Sequence, residues 1–188
     1  IGTAWEELVK QACEKHHDLI VIATRRPQIA KRHLFGGTAQ KLIRNAPCPV
    51  WVVKPDEVRE IREIAAATDL SDSSIPVLHA AVGTARALNA RLFVLHVLEQ
   101  VPMSHLLIAG VSEEEIGRLV EGMREDATAK VQSHLSQTDY RTLQHGVKVE
   151  IVTGSPDHVI GDFVADNGVD LVILGTHGRR GLEGFLLG

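Results

Sequence analysis

The sequence is poor in aromatic residues, in cysteine and in long apolar runs, and each scarcity excludes a class of protein. Aromatic residues make up 4% of the 188 residues, too few for a surface that stacks the bases of single-stranded nucleic acid. Two cysteines do not build a disulfide framework, and so low a number is typical of a reducing compartment. No apolar run reaches the roughly 18 residues of a membrane-spanning helix. We therefore expect no nucleic-acid partner and no membrane partner.

The overall composition is that of an ordinary globular protein. Hydrophobic residues make up 44%, charged residues 23%, and the net charge is −4, whereas disorder requires lower hydrophobicity and a higher net charge. The chain begins at Ile1 without a basic and then apolar leader, and we interpret it as a cytoplasmic protein truncated at both ends. Cys13 falls in a predicted helix and Cys48 precedes a predicted strand, so both are expected to be inert packing residues.

The sequence contains a repeat of domain size. A shift of 152 places residues 2–26 on residues 154–178 without a gap, and Asp18 then falls on Asp170. Both segments carry a capped helix, an Asp-Leu pair, an apolar strand and a turn. A period of this length is that of a whole domain rather than of a solenoid repeat.

The repeat predicts two similar domains in tandem. Residues 1–57 are interpreted as the C-terminal part of a first domain. Residues 58–188 are interpreted as a second domain that lacks its last helix and strand. The boundary lies where Pro55, Asp56 and Glu57 interrupt the apolar pattern.

Helices and strands alternate along the chain. Capping boxes and apolar stripes predict helices, and runs that are apolar throughout predict strands buried on both faces. The predicted helices are 3–16, 38–45, 73–88, 112–135 and one starting at 155, and the predicted strands are 19–24, 50–53, 61–68, 92–98, 147–152 and 170–174. This alternation is typical of a doubly wound parallel α/β sheet, in which ligands bind beyond the carboxyl ends of the strands.

The last predicted strand leads into a glycine-rich turn. Five glycines lie among the final fourteen residues, from Gly175 to Gly188. Glycine allows backbone N–H groups to approach an anion closely, and a following helix directs its dipole at the same place. The turn is therefore a candidate phosphate site, and the competing interpretation is a flexible connection.

The spacing of Gly175, Gly178 and Gly188 after an apolar strand resembles the signature of the universal stress protein family. Three further segments resemble strands of that family: Ala-Ala-Thr-Asp-Leu-Ser at 66–71, Val-Leu-His-Val at 94–97 and Cys-Pro-Val-Trp-Val-Val at 48–53. The resemblance implies a Rossmann-like parallel sheet of strand order 3-2-1-4-5, present as one incomplete copy and one nearly complete copy. It also implies a non-enzymatic stress-response protein of the tandem type, with weak ATP hydrolysis as the alternative.

The resemblance also assigns a ligand site in the second copy. It implies that ATP, which magnesium accompanies, binds with Asp69 at the ribose and Val97 at the adenine. Gly175, Gly178 and Gly188 would then hold the phosphates. A carboxylate that accepts two ribose hydroxyls is chemically reasonable. The alternatives are that Asp69 caps a helix or forms a turn, and that Val97 is an ordinary core residue.

The first copy departs from this pattern. Ala23 and Arg26 stand where the second copy has Gly175 and Gly178, so we predict that the first copy does not bind ATP through the family loop. The basic loop 25–32 is either a solvated surface or an anion site. The competing functional hypothesis is a structural or interaction module that binds no nucleotide. Such a module would act through self-association, through pairing of its tandem domains in a dimer, or through another small ligand.

Overall fold

The computed structural model describes residues 2–23, 36–53, 59–99 and 103–176. These residues form two compact units, one within residues 1–59 and the other within residues 60–181. Both units are built from helices and parallel strands, so the predicted α/β class with a parallel sheet is confirmed.

The first unit is a small α/β layer. Its elements are α1 (Ala4–Lys15), β1 (Ile20–Ala23), α2 (Gly37–Asn45) and β2 (Val50–Val53). The strands are parallel and in register from the pair Ile20–Val50 to the pair Ala23–Val53. Its core is formed by Ala12 of α1, Ile20 of β1 and Leu42 of α2.

Two expectations for the first unit are wrong. Val21 of β1 is 57% exposed, although the apolar run predicts a strand buried on both faces. Successive side chains of a strand alternate between its faces, and α1 and α2 contribute their core residues to the Ile20 face. Cys13 is exposed rather than packed, because on α1 it follows Ala12, the residue that turns toward the core.

The second unit continues the alternation of strands and helices. Its elements are β3 (Glu63–Thr68), α3 (Ile75–Leu88), β4 (Arg91–Leu98), α4 (Met103–Ile108), α5 (Glu113–Leu135), β5 (Val147–Thr153), α6 (Pro156–Asp166) and β6 (Leu171–Leu174). The predicted helix 73–88 begins as a 3₁₀ turn at Asp72–Ser74, and the α-helix starts at Ile75 just before Pro76, whose missing N–H costs least in a first turn.

The four strands of this unit form one sheet of order β5-β4-β3-β6, and every neighbouring pair is parallel. Helices pack on both faces. Leu78 of α3 and Val131 of α5 join Leu92 of β4 in the main core. Phe163 of α6 meets Phe93 of β4 edge to face, with ring centroids 5.4 Å apart. The five-strand order 3-2-1-4-5 itself stays a prediction.

A carboxylate fixes the amino end of the central strand. Asp170, which precedes β6, accepts the backbone N–H of Arg62 at 2.9 Å and that of Glu63 at 3.1 Å. The backbone N–H of Asp170 in turn donates to the carbonyl of Glu63 at 2.8 Å. These bonds set the register of β3 against β6, and hence the level at which both strands end.

The longest helix starts with the predicted capping box. The Ser112 hydroxyl accepts the N–H of Glu115 at 3.3 Å, and the Glu115 carboxylate accepts the N–H of Ser112 at 2.9 Å. The same carboxylate accepts the Ser112 hydroxyl at 2.7 Å. Two N–H groups at the start of α5 thereby gain partners.

Glu115→Gln is expected to reduce the loss of stability that the second unit shows as the pH falls. The backbone and side-chain hydrogen bonds from Ser112 hold the pKa of Glu115 below its ordinary value of 4.5. A lowered folded-state pKa means that this stabilisation is complete above pH 4.5 and is lost as the pH falls through the folded value. Urea midpoints of wild type and Glu115→Gln should therefore converge in acid. A difference that is constant from pH 7 to pH 3 would contradict this role.

Candidate functional site

The sheet of the second unit brings three of the predicted site residues to one edge. Parallel pairing places Thr68 beside His96 and Ala67 beside Leu174. Asp69 directly follows β3, Gly175 directly follows β6, and Val97 lies at the end of β4. The carboxyl ends of parallel strands meet at one edge, which is where such sheets bind ligands.

Asp69 organises the turn that leaves β3. One of its oxygens, Oδ1, accepts the Ser71 N–H at 3.0 Å, the Ser71 hydroxyl at 2.6 Å and the Ser74 hydroxyl at 2.6 Å. Leu70 takes a left-handed conformation with φ 62°, and its N–H donates to Thr68 Oγ1 at 3.1 Å. The structure thus shows Asp69 as a turn former. Its contact with a ribose stays a prediction.

The turn is connected to the long helix through Asp72. Asp72 Oδ1 lies 3.8 Å from Lys130 Nζ and 3.8 Å from His134 Nε2, both on α5. Ser74, at the end of the 3₁₀ turn, is 6% exposed, and His134 is 2% exposed. The segment after Asp69 is therefore held against the core at Ser74 and at α5.

His96 lies at the same edge of the sheet, and the sequence did not single it out as a candidate. Its Nδ1 lies 2.8 Å from the carbonyl oxygen of Thr68, the residue before Asp69. Because a carbonyl only accepts, Nδ1 carries the hydrogen and a neutral ring offers Nε2 as an acceptor. His96 and Thr68 are brought together by the register of their strands, in which they are direct partners. No sequence motif marks this contact.

Val97 is half-buried and is paired in register with Val152 of β5. Next to this pair, Gly154 follows β5 with φ 157°, and its N–H donates to the carbonyl of Leu98 at 2.9 Å. A Cβ at Gly154 would lie 2.5 Å from Val159 Cγ2. A glycine is thus required where the chain turns from β5 toward α6.

The glycine-rich turn is described only at its beginning. Gly175 is partly buried and Thr176 is exposed. Gly178 and Gly188 lie outside the described residues, and so does the basic loop 25–32.

The first unit has a cavity at the corresponding strand end. Its volume is about 690 Å³, and its described lining includes Trp5, Ile22, Ala23 and Gly36. Lys41, also in the lining, places its ammonium 5.3 Å from the centre of the Trp5 ring. A cation over an indole is a favourable arrangement, and most of the other lining residues are small or apolar.

Two further properties concern the described parts of the chain. Among those residues, no group of three or more histidine, cysteine, aspartate or glutamate side chains is arranged to hold a metal ion. The helices that the structure describes lack the length and apolarity of a membrane span.

Known proteins resemble this chain in both sequence and fold. A family model described as the universal stress protein family matches residues 1–54 and 60–188. Universal stress protein MJ0531 of Methanocaldococcus jannaschii is 30% identical over 129 residues, which are 68% of this chain and 71% of that protein. Universal stress protein YxiE of Bacillus subtilis is 27% identical over 124 residues, which are 65% of this chain and 83% of that protein.

Among solved structures, a putative universal stress protein from Pseudomonas aeruginosa UCBPP-PA14 aligns with 100% of this chain and 63% of its own length. Its TM-score is 0.67 and its identity 21%, a likeness of fold alone. The family model accounts for nearly every residue of the sequence, and the chain belongs to the universal stress protein family.

Proposed function

We propose that the second unit binds an adenine nucleotide, ATP, at the carboxyl edge of its sheet. The observation that carries the proposal is the convergence of Asp69, Val97 and Gly175 at the ends of three neighbouring strands. A carboxylate, an apolar side chain and a bare backbone are the groups needed for ribose, adenine and phosphate respectively. Magnesium would accompany the triphosphate.

The phosphate part of this site belongs to the glycine-rich turn. Gly175 continues directly from β6, and Gly178 and Gly188 follow at the family spacing. Backbone N–H groups in such a turn neutralise phosphate charge where a Cβ would keep the anion away. The composition of the turn and the strand that leads into it support this assignment.

The ribose part requires Asp69 to act while it forms a turn. Three donors already meet its Oδ1, and a carboxylate offers about four acceptor positions in all. A ribose hydroxyl would replace one of the serine hydroxyls. This exchange keeps the backbone bond from Ser71, so the turn persists with the ligand bound.

We propose further that the chain is a tandem of two family domains, of which the first does not bind ATP through the family loop. The separate matches of the family model to 1–54 and 60–188 support the tandem. Ala23 and Arg26 at the positions of Gly175 and Gly178 support the difference between copies. The protein would be a binding protein rather than an enzyme, and ATP would shift a conformational or dimer equilibrium.

A second candidate function is a module that binds no nucleotide and acts through domain pairing or another ligand. The cavity beside Trp5 and Lys41 in the first unit favours it for that half of the chain. Its lining suits a ligand that has an apolar body and a negatively charged group, which would lie near Lys41. The two candidates differ in what they predict for ATP, so one titration separates them.

Calorimetric titration with MgATP is expected to give about one site per chain. Gly178→Arg should abolish the heat, because a long side chain in the turn would occupy the space proposed for a phosphate. Arg26→Ala is the matched control in the first copy and should leave the stoichiometry unchanged. No heat with wild type, and no nucleotide released when the freshly purified protein is denatured, would refute ATP binding. Equal losses in both variants would contradict the assignment to the second copy.

A further inference from the structure

Both cysteines of the sequence line one pocket of the first unit. Cys13 lies near the end of α1 and Cys48 lies two residues before β2. The other polar residues of this pocket are His16, His17 and Asp18. Cys13 is exposed and Cys48 is half-buried, so the pair joins the surface to the edge of the core.

The backbone holds the two cysteine segments close to each other. His16, which follows α1 and caps it, is in a left-handed conformation with φ 52°, and the N–H of His17 donates to the carbonyl of Ala12 at 3.1 Å. The chain then enters β1, where the Ile20 N–H donates to the carbonyl of Pro49 at 3.0 Å. The segment that follows Cys13 is therefore hydrogen-bonded to the residue that follows Cys48.

The two thiols differ in exposure. Burial, the Asp18 carboxylate and the neighbouring Cys13 raise the pKa of Cys48. A thiol with a raised pKa stays protonated at neutral pH and is a weak nucleophile. Cys13 is exposed and meets a solvent oxidant first.

We propose that Cys13 and Cys48 are a redox-sensitive pair that a hydroperoxide converts into an intramolecular disulfide. The Cys13 thiolate attacks a peroxide oxygen, the O–O bond breaks, and the leaving hydroxide takes up a proton to become water. Cys13 is then a sulfenic acid. The Cys48 thiolate attacks Cys13 Sγ, the S–S bond forms, and hydroxide leaves with the proton that Cys48 lost. Two thiols and one hydrogen peroxide thus give one disulfide and two waters.

The test is oxidation of the whole chain with hydrogen peroxide, followed by thiol titration and peptide mapping. Wild type should lose both titratable thiols and two hydrogen atoms of mass, stay monomeric on a non-reducing gel, and yield a peptide that joins Cys13 to Cys48. Dithiothreitol should restore both thiols. Mapping wild type requires no variant, so the result does not depend on whether a mutant folds.

Two single variants separate the steps. In Cys48→Ser, Cys13 should stop at the sulfenic acid and react with a 1,3-diketone probe. In Cys13→Ser, Cys48 should keep its thiol under the conditions that oxidise wild type. Thiols that survive in wild type, sulfinic acids without a Cys13–Cys48 link, or a disulfide only between chains would each overturn the proposal.

The rate of the second step should rise with pH, because Cys48 attacks only as a thiolate and its pKa is raised. His16, His17, Asp18 and Cys13 are the titratable groups of the pocket. Asp18→Asn removes a negative charge that opposes the thiolate, so it should make disulfide formation faster at pH 7 than in wild type. An unchanged or slower rate in Asp18→Asn would contradict this order of events.

Discussion

Asp69→Ala is expected to weaken ATP binding by about 10- to 100-fold, which is the loss of one charge-assisted hydrogen bond to a ribose hydroxyl at about 1.5–3 kcal/mol. The same change removes the acceptor of three donors in the turn after β3. Ser74 is 6% exposed, and an unsatisfied buried hydroxyl costs about 1–3 kcal/mol. Calorimetry and urea unfolding measure the two effects separately.

Asp69→Asn separates binding from folding. The asparagine carbonyl still accepts the Ser71 N–H and the serine hydroxyls, so the free energy of unfolding should stay near that of wild type. ATP affinity should fall, because the amide has no charge and presents N–H groups where the carboxylate presented an oxygen. If both Asp69 variants bind ATP as wild type does, Asp69 forms the turn and nothing more.

Leu78→Ala is expected to destabilise the second unit by about 2–5 kcal/mol, the usual range for a buried leucine that leaves a cavity. Leu78 is 0% exposed and packs between α3 and the sheet with Ile64, Val94 and Leu92. A loss of this size is a large part of the roughly 5–15 kcal/mol that stabilises a typical domain. Urea unfolding followed by circular dichroism measures it.

Leu119→Ala on α5 is the matched control, since Leu119 is 48% exposed. Its cost should stay within about 0.5 kcal/mol, as for most surface substitutions. Equal losses in the two variants would mean that the apolar cluster around Leu78 does not dominate the stability of this unit.

Local patterns in the sequence predicted most of the elements well. The Ser112–Glu115 capping box marks the start of α5, and the apolar runs mark the six strands that the structure describes within a few residues. These signals are local, because a cap needs three neighbouring residues and a strand needs one short run. The α/β alternation and the parallel sheet follow from them.

Features that depend on tertiary context were not predictable from such patterns. Val21 belongs to an apolar run but is exposed, because burial of one strand face depends on which helices cover it. α4 has only six residues, too few for a helical period to show. The bond from His96 to Thr68 depends on the register between two strands, and no motif encodes it.

The shared use of Asp69 Oδ1 has a thermodynamic consequence. If ribose replaces a serine hydroxyl there, ATP binding and the local ordering of the segment 70–74 are coupled equilibria. The factor by which ATP changes the ordering equilibrium then equals the factor by which ordering changes the affinity for ATP. Leu70, held with φ 62°, adds a strain of about 1–2 kcal/mol that the neighbouring bonds must outweigh. Occupancy at the sheet edge would then be readable in the amide exchange of Ser71, without any large movement of the domain.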